Sequence, residues 1–248
     1  MAKVKDIYEF INSIAPFDSQ MPWDNSGLIL GDMNREVTKI GVVLDATDEN
    51  IEDAVKQGCD LLVTHHPIIF HAVKVIDFTN PVAVAIKYSL PVISAHTNLD
   101  IADKGVNFAL ANKLGLKDIQ NHCSGDLMLW SGKIDKMTPD EFAAYIGKKL
   151  DGAVTYESAG KDIEKVAICG GSAGEFYANA AQMGFDAFVS GEMHYNEYLD
   201  AKRAGISVFI AGHYETENPV IELFADMIKE GTGVDSVALN WKKPYINA

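Results

Sequence analysis

The most restrictive feature of the chain is an alternation of solid apolar runs with amphipathic ones. KIGVVLDA (39–46), DLLVTHH (60–66) and PVISAHTNLD (91–100) place apolar residues side by side rather than at every second position. A strand of that kind is buried on both faces, which requires a mostly parallel sheet with helices packed over it. The intervening segments fit. DENIEDAVKQG reads as a helix capped by Asp48 and ended by Gly58, and PVAVAIKYSL reads as a second. Residues 3–14 carry Val4, Ile7, Phe10, Ile11 and Ile14 at helical spacing, WDNSGLILGD (23–32) reads as a turn before an apolar patch, and GVNFALANKLGL reads as a further helix.

The same alternation resumes later. GDLMLWSGKI (125–134) reads as a strand of mixed exposure, and TPDEFAAYIGKKL opens with a capping box of Thr138 and Glu141 around Pro139. GAVTYES, KVAICGG, FDAFVSGE, SVFIAGH and SVALNW read as strands, with helices at EFYANAAQMG, HYNEYLDAKRAG and NPVIELFADMIKEG, the last opened by Asn218 and Pro219. The expectation is two α/β domains, 1–125 and 126–248, whose closing strand is free to return to the first sheet. No linker of low complexity and no short-period repeat marks the division.

A chain of 248 residues with 48% hydrophobic content carries enough apolar material for a full core. It opens amphipathically (MAKVKDIYEF), with no apolar leader, and no apolar run approaches the ~18 residues of a membrane span. Cys59, Cys123 and Cys169 share no metal-binding or disulfide spacing, so a reducing cytoplasm and three small hydrophobes are expected. The net charge of −14 argues against nucleic acid and anionic membranes as partners. Paired cations such as those in KRAG at 202 and WKKP at 241 form no stripe.

Several apolar strands end in residues that bind metals. In THHP, Pro67 stops the strand, so His65 and His66 escape the alternation that would point them to opposite faces. SAHTNLD offers His96 and Asp100, IAGHYETE offers His213 and Glu217, and VSGEMH offers Glu192 and His194. Ligands of open α/β sheets bind beyond the carboxyl ends of the strands. Imidazole with carboxylate suits zinc, iron or manganese, and carboxylates can bridge two ions. Each piece alone has a plainer explanation: Asp100 as a helix cap, Glu217 as a first-turn carboxylate, His71 as a buried loop residue, His122 as solvated surface. ICGGSAGEFYANAA lies between a strand and a helix. It suits either a tight turn or an anion cradle, without a dinucleotide or P-loop spacing.

WDNSGLILGD, THHP, HTNLD, GGSAG, SGEMHYNE and GHYETE, in that order, give the chain a resemblance to the Nif-three-like family, known as GTP cyclohydrolase I type 2 or dinuclear metal centre hexameric proteins. The resemblance spans nearly the whole chain, in the compact form that lacks an inserted middle domain. It implies two similar α/β domains and a homohexameric ring with metal sites facing an internal cavity. It also implies two divalent ions per chain on His65, His66, Asp100, His213 and Glu217, the residues reached from the strand ends. Where family members often carry a second histidine after GE, this chain has Tyr195 after His194. The function expected is a metal-dependent hydrolase acting on a nucleotide or another phosphorylated small molecule, with Glu192 or His194 as general acid or base. The alternatives are a non-catalytic ring that binds a partner or ligand, and a purely structural metal site.

Overall fold

The structure is a computed structural model that describes residues 1–239, 243 and 245. The chain forms two compact units. The first holds residues 1–102 and the described residues from 221 to 239; the second holds 103–220 with residues 243 and 245.

In the first unit, β1 (Ala2–Lys3) leads into α1 (Val4–Ile14), which buries Val4, Ile7 and Ile11. Then come β2 (Gly27–Leu30), β3 (Glu36–Val37), β4 (Lys39–Val43), α2 (Asp48–Lys56), β5 (Leu61–Thr64), α3 (Pro81–Lys87), β6 (Val92–Ser94) and α4 (Thr97–Ile101). In the second unit the order is α5 (Val106–Lys113), β7 (Lys117–Asn121), β8 (Trp130–Met137), α6 (Pro139–Leu150), β9 (Thr155–Glu157), β10 (Ile163–Ser172), α7 (Tyr177–Gln182), β11 (Ala187–Glu192), α8 (Tyr195–Ala204), β12 (Ser207–Ile210) and α9 (His213–Glu217). The chain closes with α10 (Pro219–Thr232) and β13 (Asp235–Ala238).

The first sheet has the order β13-β4-β5-β6-β2, parallel from β13 to β6, with β2 antiparallel at the edge. The second has the order β7-β8-β10-β11-β12-β9, with β10, β11 and β12 parallel and antiparallel strands on either side. The continuous apolar strands occupy the parallel centres, as burial on both faces demands. Every residue of β5 and β6 is buried. The second sheet is covered on both faces. Leu110, Trp130, Phe142 and Ile146 pack with Val166 and Val189 in one cluster, and Ala180, Ala201 and Ile206 pack with Phe188 and Val208 in the other. Phe142 meets Phe209 edge-on with ring centres 4.8 Å apart. In the first unit Ile51, Ala54, Leu62, Ala85 and Val92 form the corresponding layer under α2 and α3.

Several local expectations are revised. Thr47, not Asp48, caps α2, its side chain accepting from the Asn50 amide at 3.3 Å; Asp48 is the first helical residue. WDNSGLILGD contains a strand, β2, paired with β6. Two short helices absent from the sequence reading, α4 and α9, follow β6 and β12, and β7 is an additional exposed edge strand. Asn218 has helical backbone and continues α9 instead of capping α10. The division of the chain falls near 102, not at 125, because α5 buries Leu110, Ala111 and Leu114 in the core of the second sheet. Of the closing strand SVALNW, Asn240 and Trp241 lie outside the described residues.

Candidate metal centre

Three histidines of the first unit leave the carboxyl ends of parallel strands. β5 ends at Thr64 and the ladder runs on for two residues: the His65 amide donates to the Val43 carbonyl at 3.2 Å, and the His66 amide to the Leu44 carbonyl at 2.9 Å. Both imidazoles are thereby held at the strand end, their ring centres 4.9 Å apart. His96 follows β6 and precedes α4; its ring centre lies 5.1 Å from that of His65 and 5.5 Å from that of His66. One nitrogen from each of the three rings lies within 4.8 Å of the others. Asp100, on α4, places Oδ1 3.7 Å from His65 Nε2.

Each ring is oriented through its Nδ1. His65 Nδ1 faces the Ala95 carbonyl at 2.9 Å, His66 Nδ1 faces Asp45 Oδ1 at 2.7 Å, and His96 Nδ1 faces Asp24 Oδ1 at 2.8 Å. A partner that can only accept places the proton on Nδ1 and the lone pair on Nε2, the arrangement of a metal-binding histidine with its outer-shell acceptor. Asp24 also takes the Thr97 amide at 3.0 Å, and its side chain is fully buried. Burial alone would raise its pKa, but the hydrogen bonds from His96 and Thr97 outweigh that and hold the carboxyl well below its usual range.

In the second unit α9 sits close on the ends of β10 and β11, and glycine makes this possible. Gly171 has φ +67°, and a Cβ there would enter the Glu217 carboxylate. At Gly191 a Cβ would stand 2.8 Å from the Cα of His213. The Gly171 amide donates to Thr216 Oγ1 at 3.1 Å, pinning the helix. The glycine-rich turn thus serves close packing beneath α9. His213 directs Nδ1 to Glu192 Oε1 at 3.0 Å and Nε2 to Glu217 Oε2 at 3.1 Å. Glu217 is almost fully buried. His194 is exposed at the N-terminus of α8, where its amide donates to Glu197 at 2.7 Å.

Thus His65, His66 and Asp100 share one strand-end cluster, and His213, Glu217 and Glu192 share another. His194, exposed at the start of α8, is in neither group, and His122 pairs instead with the Ser131 hydroxyl at 2.7 Å. Reading the sequence missed Asp24 and Asp45, the acceptors that set two of the imidazoles. Each is an acidic residue beside an apolar strand, a signal too common to single out. It also missed Trp23 and Phe70, largely exposed, whose rings meet at 5.8 Å and flank His96 at 6.1 and 5.8 Å. A cleft of about 370 Å³ opens beside His66, edged by Asp45, Asp48 and Glu49, an acidic rim that favours cations. The donor set fits divalent transition-metal ions: imidazoles with their proton fixed on the far nitrogen, and carboxylates beside them.

The family model described as Duf34/NIF3 (NGG1p interacting factor 3) matches residues 2–244. The chain belongs to the Duf34/NIF3 family. A relative from Clostridium perfringens named "GTP cyclohydrolase 1 type 2 homolog" is 31% identical over 241 residues, 92% of each chain. Among solved structures, the Staphylococcus aureus hypothetical protein SA1388 matches at a TM-score of 0.90 and 26% identity over 99% of both chains. The reduced HcgD of Methanocaldococcus jannaschii matches at 0.83 and 27%, covering 96% of this chain and 98% of its own. These matches extend the NIF3 fold to the whole chain. Among the described residues, no helix is long and apolar enough to cross a membrane.

Proposed function

We propose that this NIF3 protein is a metal-dependent hydrolase of a nucleotide or another phosphorylated small molecule. His65, His66 and Asp100 from the first unit and His213 and Glu217 from the second would hold two divalent ions, zinc, iron or manganese. The observation that carries the reading is that each unit, by itself, ends its parallel strands in Nδ1-anchored imidazoles with a carboxylate alongside. Bound ions of this kind supply Lewis acidity for displacement at phosphorus or carbon. The residues of the chain do the rest. Ala95 and Asp45 aim His65 and His66, and Glu192 fixes the His213 ring. His194, exposed and close in sequence, is the group offered to move a proton, with Glu192 as the second candidate.

The name shared by the curated relatives, GTP cyclohydrolase 1 type 2 homolog, supports a nucleotide as the first substrate class to assay. Assembly as a homohexamer and a cytoplasmic location complete the reading. The scattered spacing of Cys59, Cys123 and Cys169 in the sequence is in keeping with a reducing compartment. The test is turnover by chelator-stripped protein reloaded with zinc, iron(II) or manganese, on GTP and a panel of phosphate esters, with Glu217→Ala as control. Metal-dependent turnover lost in the variant supports the hydrolase. Two ions per chain without turnover of any substrate would replace it with a non-catalytic, metal-organised ring.

A further inference from the structure

Two large aromatic rings stand open to solvent beside the histidines of the first unit. Trp23 is 57% exposed and Phe70 40%. Apolar residues scattered singly over a surface need no explanation, but these two are held together. Trp23 lies in a turn closed by the Asp24 amide, which donates to the Met21 carbonyl at 2.9 Å. Both flanks of the turn are fastened to buried Thr97. The Met21 amide donates to the Thr97 hydroxyl at 2.9 Å, and the Thr97 amide donates to Asp24 Oδ2 at 3.0 Å. Asn25 Nδ2 donates to the Ile69 carbonyl at 2.6 Å, which ties the turn to the residue before Phe70. The backbone around the indole is thus fixed, yet the ring forgoes the stabilisation that burial would bring.

We infer that Trp23 and Phe70 form a platform on which the base of a nucleotide stacks while its phosphate meets the metal centre. The inference rests on the proposed function for the phosphate and adds what would tell a nucleotide from other phosphate esters. The two ring centres lie 5.8 Å apart with their planes at 52°, so the rings do not stack on each other. His96 meets both nearly edge-on, at 72° and 77°, and lies 5.1 and 5.5 Å from His65 and His66. One imidazole therefore separates the platform from the pair assigned to the ions. A nucleotide has the matching layout: an anionic phosphate at one end, a flat base at the other, and a ribose between. An ester without a base would leave both rings in water. Trp and Phe supply contact area at little cost in side-chain entropy. Asp24, next to the indole, has no oxygen to spare for a base edge. Its Oδ1 accepts from His96 and the Asn25 amide, and its Oδ2 from the Thr97 amide and the Ser26 hydroxyl. Contact through a ring face accepts any base. The platform thus selects nucleotides as a class and does not single out guanine.

Calorimetric titration of the zinc-loaded full chain with GMP, AMP and base-free ribose 5-phosphate tests this. Both nucleotides are expected to bind more tightly than ribose 5-phosphate, and to within a few-fold of each other. Trp23→Leu is expected to weaken them by about 5–150-fold, the loss of one base–aromatic stack, and to leave ribose 5-phosphate unchanged. Trp23→Phe keeps a ring and should recover part of the loss. Tryptophan emission gives a second readout. GMP should quench wild type more than Trp23→Phe, because among the described residues the other tryptophan, Trp130, is buried. Should the Trp23 variants fail to fold, the wild-type preference for nucleotides and its loss in Phe70→Leu decide. Nucleotides that bind no tighter than ribose 5-phosphate overturn the inference. So do equal losses for GMP and ribose 5-phosphate, which would give Trp23 a merely structural role. Trp23→Leu with wild-type nucleotide affinity but a smaller assembly on gel filtration overturns it in favour of a contact between copies. A large preference for GMP over AMP overturns the claim that base edges go unread. None of these results touches the hydrolase, which turnover of a base-free ester would still support. Base-dependent binding without turnover of any substrate keeps the platform and overturns the hydrolase.

Discussion

Gly171→Ala tests whether the approach of α9 to the sheet is what places Glu217. Two costs are separable. The first is backbone: Gly171 has φ +67°, and an L-residue in that region costs about 1–2 kcal/mol. The second is steric, because the new Cβ enters the Glu217 carboxylate and lies 3.5 Å from His213 Nε2. Forcing α9 outward adds about 1–3 kcal/mol. Gly184→Ala isolates the first cost. It sits in the same unit at φ +80° with nothing within 4 Å of a Cβ. Urea unfolding is expected to show a loss of about 1–2 kcal/mol for Gly184→Ala and about 2–5 kcal/mol for Gly171→Ala. Cobalt titration in competition with a chelator is expected to show wild-type affinity in the first variant and weakened binding of at least one ion in the second. Equal destabilisation and equal metal affinity in the two variants would refute the claim that a side chain at 171 displaces Glu217.

Thr138→Ala removes the cap of α6, whose hydroxyl accepts from Glu141 and whose amide is held by the Glu141 carboxylate at 2.8 Å; a loss of about 1 kcal/mol in urea unfolding is expected. Phe142→Ala, in the core of the second sheet, is expected to cost about 3–5 kcal/mol by the same measurement. Burial pushes the Cys59 thiol up to about 11, so the folded protein holds that proton more tightly than the unfolded chain. The associated stability is intact below about pH 8.5 and is lost as pH rises towards 11, and Cys59→Ala should flatten the decline. A decline unchanged in the variant would show that other groups cause it. With metal at 1,000 times its dissociation constant, the unfolding free energy should rise by about 4 kcal/mol over the stripped protein; scans with and without chelator check this.

What could be read in the sequence was whatever repeats locally. The continuous apolar runs at 39–43, 61–64 and 187–192 announced a buried parallel sheet, and Pro67 announced the end at which His65 and His66 emerge. Thr138 with Glu141 fixed a helix start because both partners lie within one turn. The short helices α4 and α9 were hidden because five residues carry too little periodicity to register. Asp24 and Asp45 were hidden for another reason. Each meets its histidine across a long stretch of chain, and no local pattern encodes such a pairing. Gly171 was visible as a turn glycine, but its reason for being glycine, the carboxylate of Glu217, lies on another element.

The return of β13 to β4 has a consequence for how the protein is made. The unit that leaves the ribosome first stays unfinished for most of synthesis, since β4 waits for its parallel neighbour while residues 103–220 of the second unit are made. At cellular rates the roughly 195 residues between Val43 and Ala238 take about 10–40 s to appear. For that interval β4 presents an open edge of the kind that recruits strands from other chains. A chain stopped after Gly233 should therefore show a first unit more protease-sensitive than that of the full chain, and unchanged resistance of the first unit would mean that β4 needs no closing strand. Newborn copies crowded on one message would meet at that edge before any of them had finished folding.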